Sequence, residues 1–240
     1  MSQFHNYRYT AQTHVGLKRK VNEDTILALP EQDIWLVADG MGGHQAGDFA
    51  SRAIADAVAM IPVGLDPTAR MHALRDAIQG AHQLIRTEAE ERGAGVIGAT
   101  VVALMMANGH FVGLWAGDSR IYRLRDGQIE MLTTDHSSVA EYVLAGRMTW
   151  DEAEQHPQSN AISRAVGVGD VLELDKVRGE ALSGDRFLVC SDGLTKYATF
   201  AMLQDMLSTT PIETVVERLV QVALAGGGAD NISAIVVDVL

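Results

Sequence analysis

The chain has 240 residues, 47% of them hydrophobic, which is enough to bury a sizeable core and excludes wholesale disorder. Its formal net charge of −12 argues against a nucleic-acid surface or an anionic-membrane surface. The single cysteine, Cys190, excludes an intrachain disulfide and a cysteine-built zinc cage, and no stretch approaches the ~18 apolar residues of a membrane span. The opening MSQFHNYRYT has no apolar signal-peptide core, so a soluble, cytoplasmic protein is expected.

No repeat, low-complexity tract or Pro/Ser-rich linker divides the chain, and residues 1–240 read as one domain. In chain order, residues 34–38 are an apolar run that reads as a buried strand. A helix follows, with Phe49/Ala50, Ala53/Ile54, Ala57/Val58 and Ile61 on one face. A second helix is expected after Pro67, with Met71, Leu74, Ile78, Ala81 and Leu84/Ile85 as its apolar stripe. From Gly98 to Leu132 the pattern is β-rich, and Asn108-Gly109 and Asp126-Gly127 are strong hairpin signals, so an antiparallel meander is expected. Residues 137–157 read as a polar, helical insertion between strands. Asp185–Gly193 contains another strand, 212–225 an amphipathic helix, and Asn231–Leu240 a closing strand. Helices in pairs and strands in antiparallel runs predict an α+β fold rather than a doubly wound parallel sheet.

Three apolar runs, WLVADG, GLWAGDS and FLVCSDG, each end in an aspartate: Asp39, Asp118 and Asp192. A fourth, Asp230, stands immediately before the closing strand. Singly, each is most simply a turn residue, because Asp-Gly and Asp-Asn commonly start turns. Four carboxylates at the lips of buried strands would repel one another unless protonated or bridged by cations. Oxygen ligands without cysteine or closely spaced histidine favour Mg²⁺ or Mn²⁺ over zinc. The run Lys18–Asp24 would by itself be a solvated, charge-alternating loop, yet an arginine beside such carboxylates suits bidentate capture of phosphate.

Two other signals are set aside. Gly93–Gly98 matches G-x-G-x-x-G, but a charged helical segment precedes it and a β-branched run follows, the reverse of the dinucleotide context. No P-loop occurs. His44 and His136 sit inside the motif regions without zinc-type spacing, and read as loop or hydrogen-bonding residues.

Taken together, GLKRKVNED, VADGMGGHQAG, GATVVAL, WAGDSRIYRL, TTDHS, SRAVG, LVCSDGL and GGGADNISAIVV occur in the order found in the metal-dependent (PPM, or type 2C) serine/threonine protein phosphatases. The chain resembles the compact bacterial branch of that family from about Thr13 to its C-terminus. The resemblance implies a four-layer α-β-β-α fold, a central antiparallel β-sandwich flanked by helix pairs, with a flap at about 138–159. It implies two core Mn²⁺ or Mg²⁺ ions, Asp39 bridging them, the Gly40 carbonyl on one, and Asp192 and Asp230 on the other. Asp118 and Asp192 would hold a third, weaker ion. Glu23 would position metal-bound water, Asn231 would do similar hydrogen-bonding work, and Arg19 would grip the phosphate. Met41 stands where eukaryotic relatives carry a histidine, and a thioether cannot donate a proton.

The activity implied is hydrolysis of phosphoserine and phosphothreonine by direct attack of a metal-activated water, in a monomer opposing a eukaryote-like Ser/Thr kinase. The competing readings are a pseudophosphatase acting as a phosphoprotein-binding module and a metal-dependent hydrolase of small phosphate esters. The presence of all four aspartates, Glu23 and Arg19 weighs against the pseudophosphatase.

Overall fold

The computed structural model describes residues 7–42, 46–93 and 95–240. Strands β1 (Tyr7–His14) and β2 (Asp24–Leu29) precede β3 (Ile34–Met41), with a 3-10 turn at Pro30–Gln32 between the last two. Helices α1 (Ala46–Ala59) and α2 (Pro67–Glu91) follow. Next come β4 (Gly98–Ala99), β5 (Val101–Ala107), β6 (His110–Ala116), β7 (Arg120–Arg125) and β8 (Gln128–Met131). Two short helices, α3 (Ala140–Leu144) and α4 (Trp150–Ala153), lie in the long connection to β9 (Asp175–Glu180). The order ends with β10 (Arg186–Cys190), α5 (Asp192–Thr195), α6 (Phe200–Thr209), α7 (Ile212–Gly226) and β11 (Ile232–Val239).

The strands form two antiparallel sheets, one in the order β1-β11-β10-β7-β8 and one in the order β2-β3-β5-β6-β9, with β4 against β3. Strand alternation explains why they stack. In β3, Ile34, Leu36 and Ala38 face α1 and α2, joining Ile54, Val58, Leu74, Ile78 and Ile85 in one core. The intervening Trp35 and Val37 point the other way, into the space between the sheets, where they meet Phe111, Phe187, Ile235 and Val237. In β11, Ile232, Ala234 and Val236 turn instead toward α6 and α7, against Leu203, Val216, Leu219 and Val220. Three cores separate four layers, α-β-β-α, as expected.

Some sequence expectations need correction. The β-rich stretch is not one meander. Its hairpins β5–β6 and β7–β8 form as the Asn-Gly and Asp-Gly signals imply, with Asn108 and Asp126 at φ 50° and 51°. They belong to opposite sheets, and Gly117–Ser119 carries the chain across. The helix after Pro67 is capped by Asp66, whose carboxylate accepts the N–H groups of Thr68 and Ala69. Leu84, however, is exposed, because the face set by Leu74, Ile78, Ala81 and Ile85 leaves it to one side. The insertion at 137–157 is helical only at α3 and α4. Strands β1, β2 and β9 and helix α6 were not foreseen; β1 and β9 are edge strands carrying polar or charged residues at many positions. The Gly93–Gly98 segment follows helix α2 and leads into β4, opposite to a dinucleotide site.

Candidate active site

All the strand-end aspartates come to one end of the sandwich. Antiparallel pairing places Asp24, first residue of β2, directly across from Asp39 near the end of β3. Asp118 lies in the β6–β7 crossover, Asp192 opens α5 just past β10, and Asp230 lies between α7 and β11. The β-turn reading of these aspartates accounts for where they sit but not for their convergence from five different elements.

Their electrostatics follow from that crowding. Burial raises the Asp39 carboxyl well above the usual range, and Asp24, Asp192, Asp118 and Asp230 raise it further. Burial likewise raises Asp118, with Asp192 and Asp135 adding to the effect and Arg120 opposing it. Asp192 is raised by burial and by Asp230, while Lys196 and Arg120 pull it back. Asp24 is pushed up to about 7 by burial, although the hydroxyls of Ser191 and Ser233 donate to its Oδ2 at 2.9 and 2.7 Å. Asp24 is a site residue that the motif reading passed over. Its signal was present, an aspartate at a strand end beside Glu23, but it was masked by its place in a charged run.

The loop carrying Arg19 and Glu23 is fastened by Asn231. The Asn231 amide donates to the carbonyls of Val15 and Val21 at 2.9 and 3.0 Å and accepts the Glu23 N–H at 2.8 Å. Those bonds occupy both amide hydrogens and fasten the backbone on either side of Arg19 and at Glu23. Glu23 Oε1 is buried with no hydrogen-bond partner among the described residues. Gly40 donates to the Glu23 carbonyl at 3.1 Å, and a Cβ there would stand 2.1 Å from the Gly47 carbonyl, so only glycine fits. Arg19 is half exposed, with Nη2 2.8 Å from Asp230 Oδ2, and the Asp230 bond followed by the fields of Glu23 and Asp39 raises its pKa. Thr100 joins the two sheets at the site: its N–H donates to the Asp39 carbonyl at 2.8 Å and its hydroxyl meets Ser119 at 2.7 Å.

His136 has a structural task. Its Nδ1 accepts the Gly117 N–H at 3.0 Å, its Nε2 faces Asp175 at 3.2 Å, and its ring stacks on Trp115. Burial lowers its pKa, which agrees with an unprotonated Nδ1. His44 lies outside the described residues. Met41 ends β3, paired with Gly98.

The donor set fits a hard divalent cation. It is all oxygen, it carries mutually raised carboxyls, and Asp24 Oδ1, Asp192 Oδ1 and Glu23 Oε1 are buried acceptors without hydrogen-bond partners among the described residues. No three His, Cys, Asp or Glu side chains among the described residues stand as a finished ligand cage. Asp39 and Asp192 share a hydrogen bond, and Arg19 occupies an oxygen of Asp230, so a cation would displace a proton and the arginine from these oxygens.

The Protein phosphatase 2C family model matches residues 15–234. The chain belongs to that family. PstP of Mycobacterium tuberculosis, a serine/threonine protein phosphatase, is 36% identical over 237 residues, covering 97% of this chain. The chain spans 45% of the length of PstP. PhpP of Streptococcus pneumoniae, a protein phosphatase, is 36% identical over 236 residues, 94% of each protein. Among solved structures, PppA of Pseudomonas aeruginosa superposes with a TM-score of 0.91 at 44% identity, covering 98% of both chains. The catalytic domain of PstP in complex with two manganese ions gives 0.83 at 34% identity and 98% of both chains.

Proposed function

We propose that the chain is a metal-dependent serine/threonine protein phosphatase in which residues 1–240 act as one catalytic domain. The observation that carries this reading is the convergence of Asp24, Asp39, Asp118, Asp192 and Asp230 at one end of the sandwich, the first four with carboxyls raised by burial and by one another, beside a half-exposed arginine. Asp39, the Gly40 carbonyl, Asp192 and Asp230 would hold two Mn²⁺ or Mg²⁺ ions, and Asp118 with Asp192 would hold a third. Such ions supply Lewis acidity and make water nucleophilic near neutral pH.

The remaining work falls to the chain's own residues. Arg19, swung from Asp230 to the substrate, offsets charge on two phosphoryl oxygens and sets the phosphorus for in-line attack by water. Glu23, its backbone pinned by Asn231, accepts a hydrogen bond from the attacking water through its free Oε1 and so orients it. Asp24, held by Ser191 and Ser233, supports Asp39 from the neighbouring strand. Water adds to phosphorus as the serine or threonine oxygen leaves and takes up a proton, and the products are inorganic phosphate and the hydroxyl side chain. No phosphoenzyme forms, which suits a chain whose only thiol is buried in β10.

The partners proposed are phosphorylated proteins, among them a eukaryote-like Ser/Thr kinase and its targets, met in the cytoplasm by a monomeric enzyme. No helix among the described residues is long and apolar enough to cross a membrane. PppA is described as a key regulatory component of T6SS in Pseudomonas aeruginosa. Regulation of a comparable system is therefore one setting for this activity.

The test is phosphate release from a phosphothreonine peptide with Mn²⁺, with EDTA, and with the Asp39→Asn protein. Release that requires both the metal and Asp39 supports the reading. A folded protein that binds the peptide without hydrolysing it in Mn²⁺ is instead a pseudophosphatase.

A further inference from the structure

The run 18–24, KRKVNED, carries three cations and then two acids, which on a solvated loop would neutralise one another. The fold separates the signs. Lys18, Arg19 and Lys20 are exposed, whereas Asp24 is 6% exposed and Glu23 Oε1 is buried. Both acids are turned into the site, and what remains outside is a cationic ridge. Arg19 bonds Asp230 at 2.8 Å, but among the described residues neither Lys18 nor Lys20 makes an ion pair.

The backbone of the ridge is held in place. Leu17 N–H donates to the Gly228 carbonyl at 2.7 Å, and the Asn231 amide fixes the carbonyls of Val15 and Val21 on either side. Gly16, at φ 79°, packs so closely on the loop carrying Asp230 that a Cβ would stand 2.1 Å from the Asp230 carbonyl. Lys18 and Lys20 are thereby kept in fixed register with Arg19, and their side chains alone are free to move.

Chain geometry sets what those side chains can meet. Consecutive Cα atoms lie about 3.8 Å apart, and a four-carbon lysine stem adds roughly 6 Å. With a phosphate on Arg19, both ammonium groups sweep a shell of about 10 Å around it, which an extended peptide crosses in about three residues. The rest of the molecule has the opposite sign, with 31 acids against 19 lysines and arginines and a net charge of −12. Such a surface repels acidic polypeptides, and an unpaired cationic ridge at the mouth of the site is where one would be accepted.

We propose that Lys18 and Lys20 select substrates by charge, favouring phosphorylated segments that carry aspartate or glutamate within about three residues of the phosphorylated side chain. The selection rests on the phosphatase reading, with Arg19 holding the phosphate. The test uses the full chain with Mn²⁺ and three phosphothreonine peptides of equal length, flanked by aspartate, by alanine or by lysine, at low and at physiological salt. Para-nitrophenyl phosphate, which has no flanking residues, reports the chemistry alone. The variants are Lys18→Ala/Lys20→Ala and Lys18→Glu/Lys20→Glu, both at exposed positions.

In the unsubstituted protein, kcat/KM for the aspartate peptide should exceed that for the lysine peptide by about tenfold at low salt, each exposed ion pair being worth up to about fivefold, and the ratio should fall as salt rises. It should shrink below about threefold in the double alanine variant and invert in the double glutamate variant. Turnover of para-nitrophenyl phosphate should stay unchanged in both. Equal rates on all three peptides overturn the selection. A preference that survives both variants belongs to other cations of the site and overturns the role of the two lysines. Loss of para-nitrophenyl phosphate turnover in the variants overturns it as well, because the lysines then serve the chemistry and not the flanks. If no substrate releases phosphate, the phosphatase reading fails. Affinity for the same peptides, read by fluorescence anisotropy, then decides the selection separately: tighter binding of the aspartate peptide that is lost in the variants supports it, and equal affinities overturn it.

Discussion

Asp24 and Asp39 face each other across two strands, and their chemistry sets how the metal-free protein responds to pH. The folded Asp24 carboxyl keeps its proton to about pH 7. In the unfolded chain it would lose that proton near pH 4, at about the ordinary aspartate value. Between those limits the folded state binds more protons, so this group's contribution to stability is lost as pH rises through about 7. Melting temperature in EDTA should therefore fall from pH 5 to pH 8, and Asp24→Asn should flatten that slope. Mn²⁺ should reverse the trend and stabilise more at pH 8 than at pH 5, because protons and cations compete for the same oxygens. A melting temperature independent of pH in EDTA would contradict the raised carboxyls. At the same scale, Asp39→Asn should abolish turnover while leaving the melting temperature in EDTA equal or higher. Arg19→Ala should mainly raise KM, since a phosphate grip acts in the ground state as well as in the transition state. An unchanged KM would leave Arg19 as no more than a partner of Asp230.

Single elements carry loads that can be read by breaking them. Loop 15–23 has no regular structure, and Asn231 supplies three of the hydrogen bonds that hold it. Asn231→Ala leaves the Val15 and Val21 carbonyls and the Glu23 N–H to find other partners, at a cost of about 1–3 kcal/mol. Urea denaturation should show that loss, together with a kcat reduced through Glu23. Helix α5 begins where Gly193 meets the Asn231 carbonyl, 1.9 Å from where a Cβ would stand. Gly193→Ala must therefore push Asp192 away from Asp230, and both stability and metal affinity should drop. Ion pairs divide sharply by setting. Removing Arg120 strands the buried carboxylate of Asp135 and the partly buried one of Glu154, and should cost about 3–5 kcal/mol. Removing the partly exposed Arg92–Glu88 pair of α2 should cost less than about 1 kcal/mol.

For the whole molecule, the sandwich provides three cores and gathers the strand ends, and the metal proposed there would complete the charge balance. A ligand that binds only the folded state stabilises it, by about 2.7 kcal/mol at a hundredfold excess over Kd. In a chain of this length each kcal/mol moves the melting temperature by roughly 2–4 °C. Saturating Mn²⁺ should then raise it by about 5–10 °C, and EDTA should return it. The shift should shrink in Asp39→Asn, and an undiminished shift would place the ions elsewhere.

The strand-end aspartates, both hairpin turns, the helix after Pro67 and the α+β layering were legible in the sequence. Each depends on residues close together in the chain, where periodicity and turn chemistry act. The ordered motifs extended that reading to the family. What the tertiary structure decided lies between residues far apart. β5–β6 and β7–β8 look alike in sequence, and only the sandwich sends them to opposite sheets, because one crossover at Gly117–Ser119 suits both hydrophobic faces. Asp24 is polar and sits in a charged run, yet pairing with β3 buries it. Arg19 meets Asp230 across 211 positions, and Arg120 meets the Trp150 ring and the Glu154 carboxylate only once the insertion between β8 and β9 folds back over the sandwich. Local pattern determines which elements form, whereas burial and charge pairing depend on which elements topology brings together.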